Sequence, residues 1–150
     1  MADPALQCRT TPSLTTLQAD ALRTQVGAIL EAAGNAPAEA AQVAANLVLA
    51  NLSGHDSHGV GMVPRYVDAI AEGGLKPNTS VAVRLDTGTL LALDGQRGYG
   101  QIVGVQAIEL GIARAKQHGS CIVMPRADRA RSARVATRTD GHAMALCLLR

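Results

Sequence analysis

Apolar residues along the first fifty positions recur at helical spacing. Leu22, Val26, Ile29, Leu30 and Ala33 fall on one face of a helix over about 14–33, which Ser13 or Thr15 can cap and Gly34 can stop. Pro37 stands where a first helical turn tolerates it, and Ala40, Val43, Ala44, Leu47 and Asn51 line one face of a second helix over 37–52. So short a link predicts an antiparallel pair. Pro64 opens a third helix over 64–72, which Gly73-Gly74 ends. The period then drops to two. Val81, Val83 and Leu85 alternate over 80–86, Asp86-Thr87-Gly88 can turn, and Leu90 to Leu93 continue as a second strand over 89–94, which together predict a hairpin. Ile102, Val105, Ile108, Ile112 and Ala115 restore helical spacing over 99–118, and Cys121 to Met124 reads as a short buried strand over 120–124. The fold class is α/β of an α+β-like kind: N-terminal helices, a hairpin, a helix and a short strand.

From Pro125 the pattern breaks off. Residues 1–125 hold eight Lys/Arg against ten Asp/Glu, whereas 126–150 hold six Arg against two Asp, with no sustained period before a short apolar run from Ala143 to Leu149. A strand at 120–124 needs neighbours, and such a tail is expected to supply none and to be poorly packed. The chain thus divides into a leader over 1–13, a folded portion over 14–124 and a divergent Arg-rich tail over 125–150. Guanidinium groups neutralise phosphates, but no aromatic residue is interleaved with them, so nucleic acid is not an expected partner.

Composition narrows the class further. A chain of 150 residues is long enough for one domain, yet with no Phe, no Trp, two Tyr and 27 Ala its core is built from small side chains. No apolar run approaches the ~18 residues of a membrane span, and Met1 to Leu14 contain no apolar signal segment, so the expectation is a cytoplasmic protein without a membrane partner. Cys8, Cys121 and Cys147 are odd in number and far apart, which favours reduced thiols over a disulfide framework or a zinc ribbon.

Chemistry concentrates in Gly54-His55-Asp56-Ser57-His58-Gly59-Val60-Gly61, a polar stretch between glycines that reads as a loop or the start of a helix. Three readings stand side by side. His55 and His58 at i, i+3 could hold a metal, but no third ligand is evident and none is expected. The polar groups could serve only to cap helix ends and fill a turn. Acid/base catalysis uses the property that distinguishes imidazole, proton exchange near neutral pH, and His58, between Ser57 and Gly59, is the better candidate than His55. A second stretch, Asp94-Gly95-Gln96-Arg97-Gly98-Tyr99-Gly100-Gln101-Ile102-Val103-Gly104, follows a strand and opens a helix. Its GxGxxxG spacing is poor for a dinucleotide fingerprint, no acidic residue follows the next strand, and a turn that lets a helix pack closely explains the same glycines, so the fold is not expected to be a Rossmann fold.

Asn51 to Val67, read as NLSGHDSHGVGMVPRYV, with Gly73-Gly74-Leu75-Lys76-Pro77-Asn78 after it, resembles the malate/L-lactate dehydrogenase family, NAD(P)-dependent 2-hydroxyacid oxidoreductases without a Rossmann fold. The resemblance covers about residues 14–124 and includes the Leu93-Asp94-Gly95 strand end, the Gly98-Tyr99-Gly100-Gln101 turn and the helix end at Ala113 to Gly119. It implies reversible hydride transfer between NAD or NADP and a 2-oxo/2-hydroxy acid, a homodimer, His58 as the proton donor and Ser57 as part of its relay. Many members carry an arginine four residues after that histidine to grip the substrate carboxylate; Met62 stands there, and Arg65 is the substitute considered for substrate binding. The family continues past this length with most of the cofactor site, so cofactor-binding residues stay unknown. The 14–124 portion is expected to form an incomplete family fold, from a truncated or frame-shifted coding sequence. The alternatives are a non-catalytic fragment that still dimerises and, last, a basic-tail interaction module.

Overall fold

The computed structural model describes residues 16–126 and a short strand at 145–147. Four helices, α1 (Ala19–Ala32), α2 (Pro37–Leu52), α3 (Val63–Ala71) and α4 (Gly100–His118), accompany four strands, β1 (Ala82–Asp86), β2 (Leu90–Asp94), β3 (Cys121–Arg126) and β4 (Ala145–Cys147). The helices and the first three strands stand within a few residues of the positions their periodicity predicts. Helix α1 differs most, beginning only after Gln18, whose backbone is extended. Leu17 is 61% exposed, so no core contact holds an earlier turn. Ser13 and Thr15 lie outside the described residues, as does the whole 1–13 leader.

The α1–α2 turn closes at Gly34, in the left-handed region at φ 98°, with Asn35 N–H donating back to the Leu30 carbonyl at 3.2 Å. That bond and the Gly34 N–H to the Glu31 carbonyl satisfy end-of-helix acceptors. α1 and α2 bury Val26, Leu30, Ala40, Val43, Ala44 and Leu47 together with Val63, Tyr99 and Ile102. The expected apolar face of α2 is thus the observed one.

The strands form one sheet in the order β1-β2-β3-β4. β1 and β2 make the expected antiparallel hairpin, with a register shift between Val83 and Leu85 that alternation did not foretell. β2, α4 and β3 form a parallel βαβ unit, Leu91 opposite Val123. α4 covers one face of it, where Leu91, Leu93, Cys121 and Val123 pack with Ala107 and Ala115. Side chains alternate across a sheet, so Leu85, Ile122 and Met124 point the other way, and all three are exposed.

The tail departs from expectation in two ways. β3 runs on through Pro125 and Arg126, and β4, from the apolar run near the end of the chain, pairs with it in parallel, Ile122 opposite Leu146. Backbone pairing needs no hydrophobic period, and the Arg-rich stretch before β4 does not prevent it. Among the described residues β4 pairs with Cys121 to Val123, while Pro125, which lacks an N–H, stands opposite Leu93 of β2. The expectation of poor packing over Arg126 to Arg138 falls almost wholly on 127–144, outside the described residues.

Candidate active site

The His-Asp-Ser-His loop is built off the end of α2. After Ser53, Gly54 takes φ 76°, and His55 N–H reaches back to the Ala50 carbonyl at 2.8 Å while Gly54 N–H bonds the Asn51 carbonyl at 2.9 Å. These are the paired bonds of a helix-ending Schellman turn, which turns the chain sharply at the helix end. Asp56 to His58 then make one 3-10 turn, with His58 N–H on the His55 carbonyl at 2.9 Å, and a second turn at Val60–Met62 leads into α3. Pro64 occupies the first turn of α3, where its missing N–H goes unused.

A residue with no assigned role in the sequence reading holds this loop. Asn51, in the last turn of α2, donates from Nδ2 to Asp56 Oδ1 at 2.6 Å and accepts the Val60 N–H on its own Oδ1 at 2.8 Å. One amide thereby clasps both sides of the Ser57–His58 turn. The fit is close, since a Cβ on the buried Gly59 would stand 2.1 Å from Asn51 Oδ1. Gly59 is needed here for lack of side chain, its φ of −89° being open to any residue. The available signal was a polar residue on the otherwise apolar face of α2; what it clasps became visible only with the fold.

Within the clasp, Ser57 Oγ lies 3.0 Å from His58 Nδ1, and both side chains are exposed. The hydroxyl can donate to a bare Nδ1 or accept from a protonated one. In both states Nδ1 is occupied and Nε2 is left as the ring atom available to a ligand. A positioned imidazole of this kind can give a proton to, or take one from, a substrate oxygen.

α3 is fastened beneath the loop by polar and aromatic contacts. Tyr66 packs edge-to-face on the buried Tyr99, centroids 5.3 Å apart, and its hydroxyl accepts from Gln101 Nε2 at 3.0 Å. Burial pushes the Tyr99 phenol up to about 12, with the neighbouring Asn35 amide opposing the shift. Met62 and Val60 pack, half-buried, against the helical core.

The remaining sequence candidates are more scattered. Arg65 is exposed in the first turn of α3 and forms no ion pair among the described residues. His55 is exposed, and no three His, Cys, Asp or Glu side chains among the described residues gather as a metal site. Cys121 is buried in the sheet, and burial pushes its thiol up, away from reactivity. Two shallow cavities of about 290 and 220 Å³ lie elsewhere, one between α2 and Asn78 to Ser80, the other among Lys76, Asp94, Gln96 and Arg97. Neither of these two is lined by Ser57 or His58. No helix among them is long and apolar enough to cross a membrane.

Comparison with known proteins bears on the whole segment. The malate/L-lactate dehydrogenase family profile matches residues 17–132, beginning just before α1 and running past β3 into the Arg-rich stretch. Hydroxycarboxylate dehydrogenase B of Escherichia coli K12 is 40% identical over 105 residues, 70% of this chain and 29% of that protein. Malate dehydrogenase of Pyrococcus abyssi is 37% identical over 107 residues, 71% of this chain and 30% of its own length. The solved malate dehydrogenase of Pyrococcus horikoshii superimposes with a TM-score of 0.66 at 35% identity, covering 70% of this chain and 30% of that one. The chain therefore spans about 30% of the length of the relatives it matches. Over that span, sequence and fold agree, and the chain belongs to the malate/L-lactate dehydrogenase family.

Proposed function

We propose that this chain carries the proton-transfer segment of an NAD(P)-linked 2-hydroxyacid dehydrogenase, with His58 as acid and base and Ser57 as its relay partner. The observation that carries the reading is the 3.0 Å contact between Ser57 Oγ and His58 Nδ1 inside the Asn51 clasp. A reduced nicotinamide cofactor, NADH or NADPH, would supply the hydride to the carbonyl carbon when bound. The carbonyl oxygen gains negative charge as it does so, and Nε2–H of the His58 imidazolium delivers a proton to it. Ser57 holds Nδ1 throughout, so the ring presents the same nitrogen to the substrate before and after transfer. In the oxidative direction Nε2 takes the hydroxyl proton and the 2-hydroxy acid becomes a 2-oxo acid. Arg65, exposed in the first turn of α3, is the cation assigned to the substrate carboxylate. A homodimer in the cytoplasm completes the reading.

The test grafts residues 17–126 in place of their counterpart in Escherichia coli hydroxycarboxylate dehydrogenase B and follows reduction of pyruvate and oxaloacetate with NADH and NADPH. The graft is expected to turn over, and the 150-residue chain alone is expected to show no reduction above buffer, because positioning the cofactor supplies ~7–11 kcal/mol of such a barrier. A well-folded graft that binds cofactor but reduces neither acid would overturn the reading. Rapid reduction by the chain alone would contradict the view that the residues holding the cofactor lie outside those described.

A further inference from the structure

We propose that the cavity at the carboxyl end of β2 is a binding site for a phosphate-type anion, separate from His58. In parallel α/β units, ligands bind beyond the carboxyl ends of the strands, and the glycine-rich segment from Asp94 to Gly100 makes that edge of the β2–α4–β3 unit. A cavity of about 220 Å³ opens there, lined by Lys76, Asp94, Gln96 and Arg97. Its one carboxylate is already engaged. Arg84 donates to Asp94 Oδ2 at 2.6 and 3.1 Å, and Gln96 N–H donates to Oδ1 at 2.8 Å. Among the described residues Arg84 pairs with this acid, and the side chains of Lys76 and Arg97 make no ion pair.

The two cations are brought together from different parts of the fold. Lys76 N–H donates to the Arg97 carbonyl at 3.0 Å, and Arg97 Nη1 donates to the Gly73 carbonyl at 3.1 Å, leaving the other guanidinium donors for a ligand. A guanidinium fork beside an ammonium suits the several oxygens of a phosphate better than a single carboxylate. Gly73 lies just past the end of α3, whereas Ser57 and His58 precede its start, and neither of the two lines this cavity. It does not depend on the role given to His58.

Isothermal titration of the purified chain with inorganic phosphate at low ionic strength tests the proposal. Arg97 sits at φ 64° and Gln96 at φ 50°, both left-handed, so Arg97→Gly removes the cation while relieving backbone strain and should melt no lower than the parent. Saturable binding is expected, weakened on the order of tenfold or more by Arg97→Gly and by Lys76→Ala. Gln96→Gly, which relieves the same strain and keeps both cations, and the distant Arg23→Ala should change it by less than about twofold. Tighter, Arg97-dependent binding of NADPH than of NADH would identify a nucleotide phosphate as the source; equal binding of the two beside saturable phosphate would identify free phosphate. No saturable phosphate binding, binding untouched by both cation variants, or a preference for acetate over phosphate would overturn it.

Discussion

The helical half of this molecule and its sheet half finish their packing to different degrees. Around α1, α2, α3 and the start of α4, apolar groups close on one another from several directions: Leu30, Val43 and Leu47 are at most 1% exposed, and Tyr99 is sealed beneath Tyr66. β2 and β3 bury only their α4 side, through Leu91, Leu93, Cys121 and Val123. The sheet's other face shows Leu85 at 47%, Ile122 at 42% and Met124 at 47% exposure. The difference explains where a chemically exacting loop can be built. Ser57 and His58 are exposed, yet the backbone beneath them is pinned to a closed core through Asn51, Val60 and Val63.

The contrast breaks most directly under truncation of one side chain from each half. Leu47→Ala leaves a hole in a closed core and is expected to cost ~2–5 kcal/mol, whereas Met124→Ala on the open face should stay within about 0.5 kcal/mol. Urea melts of the two variants check it, and equal losses would show that the sheet face is covered in solution.

Next in size is Gly59→Ala. The added Cβ would collide with Asn51 Oδ1, and Asn51 can withdraw only by giving up Asp56 and Val60. A loss of ~1–3 kcal/mol is expected, with faster amide exchange confined to about 55–62. Exchange that accelerates through α1 and α2 as well would mean that the loop and the core are one cooperative unit.

Asn51→Asp sharpens the comparison within the loop itself. It keeps an acceptor for Val60 but sets a carboxylate against Asp56, for an expected ~1–2 kcal/mol and a shift of the His58 ring resonances. The reciprocal pair Asn51→Asp with Asp56→Asn restores one donor and one acceptor, and should recover most of both effects. Failure of the swap to rescue the ring resonances would show that the clasp does not position His58.

How much of this was legible beforehand follows from what each feature depends on. The burial of Val43 and Leu47, the hairpin and the Ser57–His58 segment rest on local spacing, and spacing is what a sequence displays. Asn51 sat in plain view on the apolar face of α2, but its partners lie five and nine residues on, across a turn whose shape only the fold supplies. β4 was hidden because three residues carry no period, and it is held by pairing with β3, from a distant part of the chain. Gln96 and Arg97 were hidden for another reason: left-handed backbone ordinarily announces itself as glycine, and here it does not.

The smallest effect shows itself only at alkaline pH. Tyr99 has its phenol raised from an ordinary value of 10 to about 12 by burial, so the neutral form is the one the fold favours. That contribution is fully present below pH ~10 and is lost as pH rises through ~12. An alkaline unfolding step in this window, absent from Tyr99→Phe, is expected in circular dichroism at fixed denaturant; its persistence in the variant would assign it to another group.

The central claim is that His58, held at Nδ1 by Ser57, passes the proton in 2-oxo acid reduction. The graft into the Escherichia coli relative tests it when measured with and without His58→Ala, for turnover and for nucleotide affinity separately. The account expects turnover to fall by ~10²–10⁴-fold, the usual contribution of a positioned acid, while the nucleotide Kd moves by less than about twofold. Turnover retained within a few-fold in the Ala variant, with the nucleotide bound as before, would contradict it.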